Sequence, residues 1–177
     1  MFNSMYLVGL AIIALPLLIR HRSKSIQARV EKNGEKSIDL ANVYFWLMYV
    51  TSALFIIIGI SAFLFSNEPI ASIGFTGIGC VFFAATAIIQ FANTTVHWSH
   101  QYISGPRSGF SFKRNIIDWD NIIMAKYNKN NTIELVSISG LKVCWSVYHA
   151  GWLEVIIDMQ RIKPDADTSD FEEFTSN

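Results

Sequence analysis

The sequence predicts a membrane α-helical N-terminal half with three transmembrane (TM) helices, followed by a small cytosolic α+β domain. That domain reads as an antiparallel β meander, a partial barrel capped by a C-terminal helix. Three observations predict this. Between Leu40 and Trp98 the only Asp, Glu, Lys or Arg is Glu68. From about Thr94 short apolar runs alternate with turn residues. Over 149–162 the apolar period changes from that of a strand to that of a helix. The chain divides accordingly into 1–40 (a first TM helix and a basic loop), 41–92 (a TM hairpin), 93–163 (the β domain) and 164–177 (an acidic tail).

The first hydrophobic stretch runs from Met1 or Met5 to Ile19 and contains Pro16. A signal peptide carries its positive charge before the apolar run. Here the charge follows, in Arg20-His21-Arg22-Ser23-Lys24, and this order predicts an anchor with its N-terminus outside. The second stretch, Ala41–Phe65, has no charge and exceeds the roughly 20 residues that cross a bilayer. Tyr44, Trp46 and Tyr49 lie at its start, where amphipathic rings favour the headgroup level. The third runs from Pro69 to about Phe91. Ser66-Asn67-Glu68-Pro69 allows only a tight turn, so the two stretches form an antiparallel hairpin.

Charged residues make up 16% of the chain, against about 25% for a soluble domain. Fourteen bases balance fourteen acids, so net charge points to no partner, and nothing indicates nucleic acid. Their placement is informative. Arg20, Arg22, Lys24, Arg29, Lys32 and Lys36 fill the loop before the hairpin, and the 66–69 turn holds no base. By the positive-inside rule the loop is cytoplasmic and the turn is outside. The C-terminal domain is then cytoplasmic, and the protein a multi-pass one of a cytoplasmic (inner) membrane.

Within the β domain, His97–Ile103 reads as a first strand and Ser104-Gly105-Pro106 as a turn. Gly109–Lys113 alternates, with Phe110 and Phe112 on one face. Ile122–Tyr127 is the next strand, Asn128–Asn131 a turn of residues that tolerate positive φ, and Thr132–Ile138 the strand after it. Ser139-Gly140 turns into Leu141–Val147, whose Val143, Trp145 and Val147 share a face. Trp152, Val155, Ile156 and Met159 then fall at i, i+3, i+4 and i+7 and make the apolar stripe of a helix. Glu154, Asp158 and Arg161 lie off it. The expected core is Phe110, Phe112, Trp119, Ile122, Trp145, Trp152, Val155, Ile156 and Met159. Pro164 ends the helix, and the tail, with five acids and no base from Asp165 to Glu173, is expected to be disordered.

Ile116-Ile117-Asp118-Trp119-Asp120-Asn121-Ile122, then a turn, a strand, Ser139-Gly140, Lys142 and a helix carrying Trp152, resembles the bacterial pleckstrin-homology-like (PH-like) domains found beside transmembrane hairpins. The resemblance covers residues 94–163. It implies a PH-like antiparallel barrel closed by one helix and brings no catalytic residues with it.

His97, His100 and His149 could be read as metal ligands. On a strand, however, residues three apart point to opposite faces, so interface or core histidines are expected and no metal. Asp118 and Asp120 could form a carboxylate pair, but they flank Trp119 in a loop and are expected to cap the backbone. Arg107, Lys113, Arg114, Lys126, Lys129 and Lys142 are candidates for a basic, lipid-facing surface, each worth about 1 kcal/mol against an anionic leaflet. Ser72, Thr76, Cys80 and Ala84, with Gly77 and Gly79 nearby, form a small-residue stripe suited to helix packing within the hairpin or to a homo-oligomer. Cys80 and Cys144 read as separate buried hydrophobes, since a disulfide would need the β domain to reach membrane depth. No span carries an ionisable group in its apolar interior, which argues against a pump. Phosphate loops, CxxC, HExxH and GxSxG are absent. The expected function is non-catalytic and free of cofactors: the PH-like domain contacts membrane lipid or a protein partner. The alternatives are an immunity or exclusion protein that blocks a toxin or invading factor, and an accessory subunit of a transport or enzyme complex.

Overall fold

The computed structural model describes residues 21–24, 26–65, 69–92, 94–109 and 111–175. The first hydrophobic stretch, the turn at 66–68 and Phe110 lie outside the described residues. Two compact units are present. One is Asn42–Asn93, and the other combines the chain on either side of it.

The helical unit is a hairpin of α1 (Asn42–Phe65) and α2 (Pro69–Phe91). Both are long and apolar enough to cross a membrane, and only 11% and 17% of their most apolar windows are buried. The residues buried between them are Ser52 and Gly59 on α1 and Ser72, Gly79 and Thr86 on α2. Each set repeats every seven residues. The Ser52 hydroxyl donates to the Gly79 carbonyl at 2.7 Å. A Cβ on Gly79 would stand 2.6 Å from Ile56 Cγ1 and 2.9 Å from the Ser52 carbonyl, so this crossing requires glycine. Thr76 packs on Gly59, whereas Cys80 and Ala84 are exposed and Gly77 has open space above it. The expected four-residue stripe is thus corrected to a seven-residue one. Steps of four drift about 40° each around a helix, and steps of seven only about 20°.

In the second unit, β1 (Arg29–Val30), β2 (Lys36–Ile38), β3 (Val96–Trp98), β4 (Tyr102–Pro106) and β5 (Arg114–Asp118) form one antiparallel sheet in sequential order. The others, β6 (Ile122–Asn128), β7 (Thr132–Ser137) and β8 (Lys142–Ser146), form a second. Helix α3 (Trp152–Ile162) shares one core with both. The loop before the hairpin therefore supplies two strands. Since Ile38 pairs with Val96, the whole helical hairpin is inserted between neighbouring strands of one sheet.

Two strand readings are corrected. The 97–103 run is broken by a turn at 99–101, and Ser104-Gly105-Pro106 is strand. The Gly-Pro signal marks close packing instead, because a Cβ on Gly105 would lie 2.7 Å from Val143 Cγ1. Pro106 takes the last position of β4, beyond Ser104, the last residue of the strand paired with β3. The 109–113 run is the connection between β4 and β5. Phe112 is 69% exposed there and is not core.

Trp119, Ile122, Trp145, Trp152, Val155, Ile156 and Met159 are all buried. Asn131 (φ 62°) and Gly140 (φ 77°) carry the positive φ of their turns. At Gly151 (φ 84°), which precedes α3, a Cβ would press on the backbone of 26–28. The tail is not disordered over its described length. The Ala125 N–H donates to the Asp167 carbonyl at 2.9 Å and the Asp167 N–H to the Ile123 carbonyl at 3.0 Å, which covers the edge of β6. Phe171 is buried, edge-on to Tyr127. Those two aromatics outweigh the acidic composition.

Candidate functional site

A polar cluster joins α3 to the strands from the pre-hairpin loop. Glu154 and Asp158, one turn apart, share a helix face. Glu154 accepts from the Ala28 N–H at 2.7 Å and from Lys36 Nζ at 2.7 Å. Asp158 Oδ2 accepts from Lys36 Nζ at 2.8 Å and from the Trp98 indole at 3.0 Å. Arg161 stands 3.6 Å from its other oxygen. Burial alone would lower the Lys36 pKa, but the hydrogen bonds to Asp158 and Glu154 outweigh it and the net shift is upward. Burial would raise Asp158, and the Lys36 and Trp98 hydrogen bonds reverse that to a net lowering. Both groups are therefore held charged. The adjoining cleft, lined by Gly34, Ser99, His100 and Ile162, has a volume of about 100 Å³, well below the roughly 300 Å³ minimum of ordinary ligand sites. Every carboxylate of the cluster is already engaged, so its role is to close the domain.

A second cluster surrounds the residues through which the chain leaves for the helices and returns. His149 is fully buried. Its Nδ1 lies 3.1 Å from the Ser146 N–H and its Nε2 lies 3.1 Å from the Thr94 carbonyl. Nδ1 also lies 3.0 Å from the Ser146 carbonyl. A neutral ring whose Nε2–H donates to Thr94 accepts the Ser146 N–H at Nδ1, and a proton on Nδ1 would go to the Ser146 carbonyl. Leu40 bridges to His149, the Ala41 N–H donates to the Tyr148 carbonyl, and Thr95 Oγ1 donates to Asp39. Outgoing and returning chain are thus tied together.

The three histidines do not converge. His97 faces Glu31 at 3.5 Å, His100 lines the cleft and His149 is sealed in. Among the described residues no group of three His, Cys, Asp or Glu could hold a metal. Asp118 and Asp120 are exposed, and Asp118 makes no side-chain cap bond, contrary to the capping expectation. The Cys144 thiol is pushed up to about 12 by burial and donates to the Arg107 carbonyl at 3.2 Å, so it is no nucleophile. Cys80 is exposed on α2 rather than buried.

The six candidate bases do not form one surface. Arg107 and Lys113 flank the exposed β4–β5 connection, where the Arg107 N–H donates to the Lys113 carbonyl at 2.9 Å. Arg114 turns back, half-buried, to the Ser104 carbonyl at 3.3 Å, and burial lowers its pKa. Lys142 is paired with Glu134 at 3.0 Å. Lys126 lies in mid β6 and Lys129 in the β6–β7 turn, away from that connection.

Sequence reading missed the cluster of Lys36, Trp98, Glu154 and Asp158 because it took 20–40 as a loop. The signal present is Asn33-Gly34, a strong hairpin dipeptide, with Gly34 at φ 82°. No protein-family model, no curated protein and no solved structure matches the chain.

Proposed function

We propose that this chain is a non-catalytic protein of a bacterial cytoplasmic membrane. The α1–α2 hairpin anchors it, with the N-terminal hydrophobic stretch as a third span, and a PH-like domain works by contact at the inner leaflet with lipid or with a membrane protein. The observation that carries this reading is the insertion of the apolar hairpin between β2 and β3. Only residues 39–41 separate β2 from α1. Three residues reach about 11 Å at most, so a hairpin in the bilayer keeps the domain at its surface.

Support for the membrane comes from the exposure of α1 and α2. Leu54, Ile57, Phe63, Ile70, Ile73 and Phe83 are among more than a dozen large apolar side chains left uncovered on them, an extent that water does not favour. Support for the PH-like reading is the pair of antiparallel sheets sharing one core with a helix that follows the last strand. The six bases of 20–36 favour a cytoplasmic domain. The non-catalytic reading rests on the chemistry of the polar groups: Lys36, Glu154, Asp158 and His149 are each engaged in holding segments together, and Cys144 is a buried donor.

Alkaline carbonate extraction of membranes from expressing cells tests the anchor. The chain should stay in the pellet, and release into the supernatant would contradict the reading.

A further inference from the structure

The β4–β5 connection has a chemistry that the anchor alone does not use. Phe112 stands 69% exposed at its tip, and Phe110 is two residues before it. Arg107 and Lys113 flank them and are exposed, with no ion pair among the described residues. The tip is ordered by short-range bonds, with the Ser111 N–H donating to the Ser108 carbonyl at 3.0 Å and the Lys113 N–H to Ser111 Oγ at 3.1 Å. The aromatic ring is therefore presented on a formed turn.

Along the chain, charge about the tip has one sign, and Asp39, an acid at the same end of the sheet, accepts from Thr95 Oγ1. From Thr94 to Ile117 the chain contains no Asp or Glu. Glu134, on the second sheet, is engaged by Lys142 at 3.0 Å. The turn before Lys142 adds the exposed Leu141, and the Lys142 carbonyl accepts from Asn115 Nδ2 at 2.7 Å beside the base of β5.

Register places the tip. His97 pairs with Ser104 and Ile38 with Val96. Pro106, at the end of β4, therefore lies at the same end of the sheet as Thr95 and Asp39. Those residues lead directly to and from the apolar helices in sequence.

We infer that the β4–β5 tip is a lipid-contacting wedge, in which Phe112 enters the interface of an anionic bilayer while Arg107 and Lys113 meet lipid phosphates. This rests on the reading of the hairpin as membrane-spanning and names the lipid contact of that reading. Aromatic rings favour the interfacial zone, and bases beside them are drawn to anionic headgroups. A protein surface would need a complementary acidic face, whereas a bilayer of anionic lipid supplies both chemistries at the place where the sheet end is tethered.

The test uses the full-length chain in lipid nanodiscs, with Cys80 and Cys144 replaced by Ala and an environment-sensitive fluorophore on Phe112→Cys. Companion labels sit on Ile57→Cys in α1 and Asn130→Cys in the β6–β7 turn. In discs rich in phosphatidylglycerol, the label at 112 should be quenched by lipid-borne quencher and shielded from aqueous iodide. In discs of phosphatidylcholine alone it should be largely aqueous. Replacing Arg107 and Lys113 by Gln should lower the insertion equilibrium constant (inserted over aqueous) about 30-fold, near fivefold per base. Soluble glycerol phosphate should not displace the label. A label at 112 that stays aqueous in both discs while Ile57→Cys reports lipid overturns the wedge alone and leaves the ring to a protein surface. Equal insertion in both discs overturns the role of the bases, and displacement by glycerol phosphate overturns the bilayer in favour of a headgroup site. An aqueous label at Ile57 overturns the spanning reading and the wedge with it.

Discussion

Trp119 and His149 show how single side chains hold this domain. The Trp119 ring is 1% exposed and its indole donates to the Ser99 carbonyl at 2.8 Å, so the ring pins the 99–101 turn to the junction of the two sheets. Trp119→Ala should cost about 3–5 kcal/mol, read as a lower unfolding temperature of the detergent-solubilised full chain. An unchanged transition would contradict the packing described. His149 predicts a pH dependence. Burial holds its imidazole below the ordinary value of 6.5, against the opposing influence of the Thr94 and Ser146 backbone and of Asp39. The unfolded chain takes up a proton near pH 6.5 that the folded domain resists. Stability is therefore full above about pH 6.5 and declines as the pH falls through it. Thermal unfolding from about pH 7.5 down to about 5.5 should show that decline, and His149→Gln should flatten it. An equal slope in the variant would assign the proton uptake elsewhere.

At the scale of elements, β1 and β2 belong to the domain although the helical hairpin separates them from it in sequence. Their anchors are the Glu154–Lys36–Asp158 cluster and the Ile38–Val96 pairing. A fragment of residues 94–163 lacks both strands and the tail that covers β6, and it should not fold. A chain in which 26–41 is joined to 94–175 by a short Gly/Ser linker should give a dispersed amide spectrum and cooperative unfolding. Dispersion from 94–163 alone would contradict this account. What sequence could reveal follows the same boundary. Long periodic segments were legible: both apolar helices, the apolar stripe of α3, the β6–β7–β8 meander and the turns at Asn131 and Gly140. Strands of two or three residues, such as β1 and β2, carry too few positions to show alternation, and β2 is fixed in the sheet by pairing with β3, about 60 residues away. Gly105-Pro106 read as a turn because composition cannot distinguish a glycine that permits a bend from one that permits close approach. Of the candidate basic surface, sequence identified the residue types, but which bases stay unpaired depends on contacts such as Lys142 with Glu134.

For the molecule as a whole, the proposed function has a membrane-spanning hairpin, inserted between two strands, that would hold the β domain at the cytoplasmic face. The seven-residue repeat of small residues gives the hairpin its own packing, and the cluster at His149 ties its entry and exit together within the domain. The most direct measurement is cysteine accessibility in intact cells, in a chain with Cys80 and Cys144 replaced by Ala. Asn67→Cys, between the two helices, should react with a membrane-impermeant maleimide, and Asn130→Cys should react only after permeabilisation. Labelling of Asn130→Cys alone in intact cells would invert the orientation, and labelling of both would contradict a spanning hairpin.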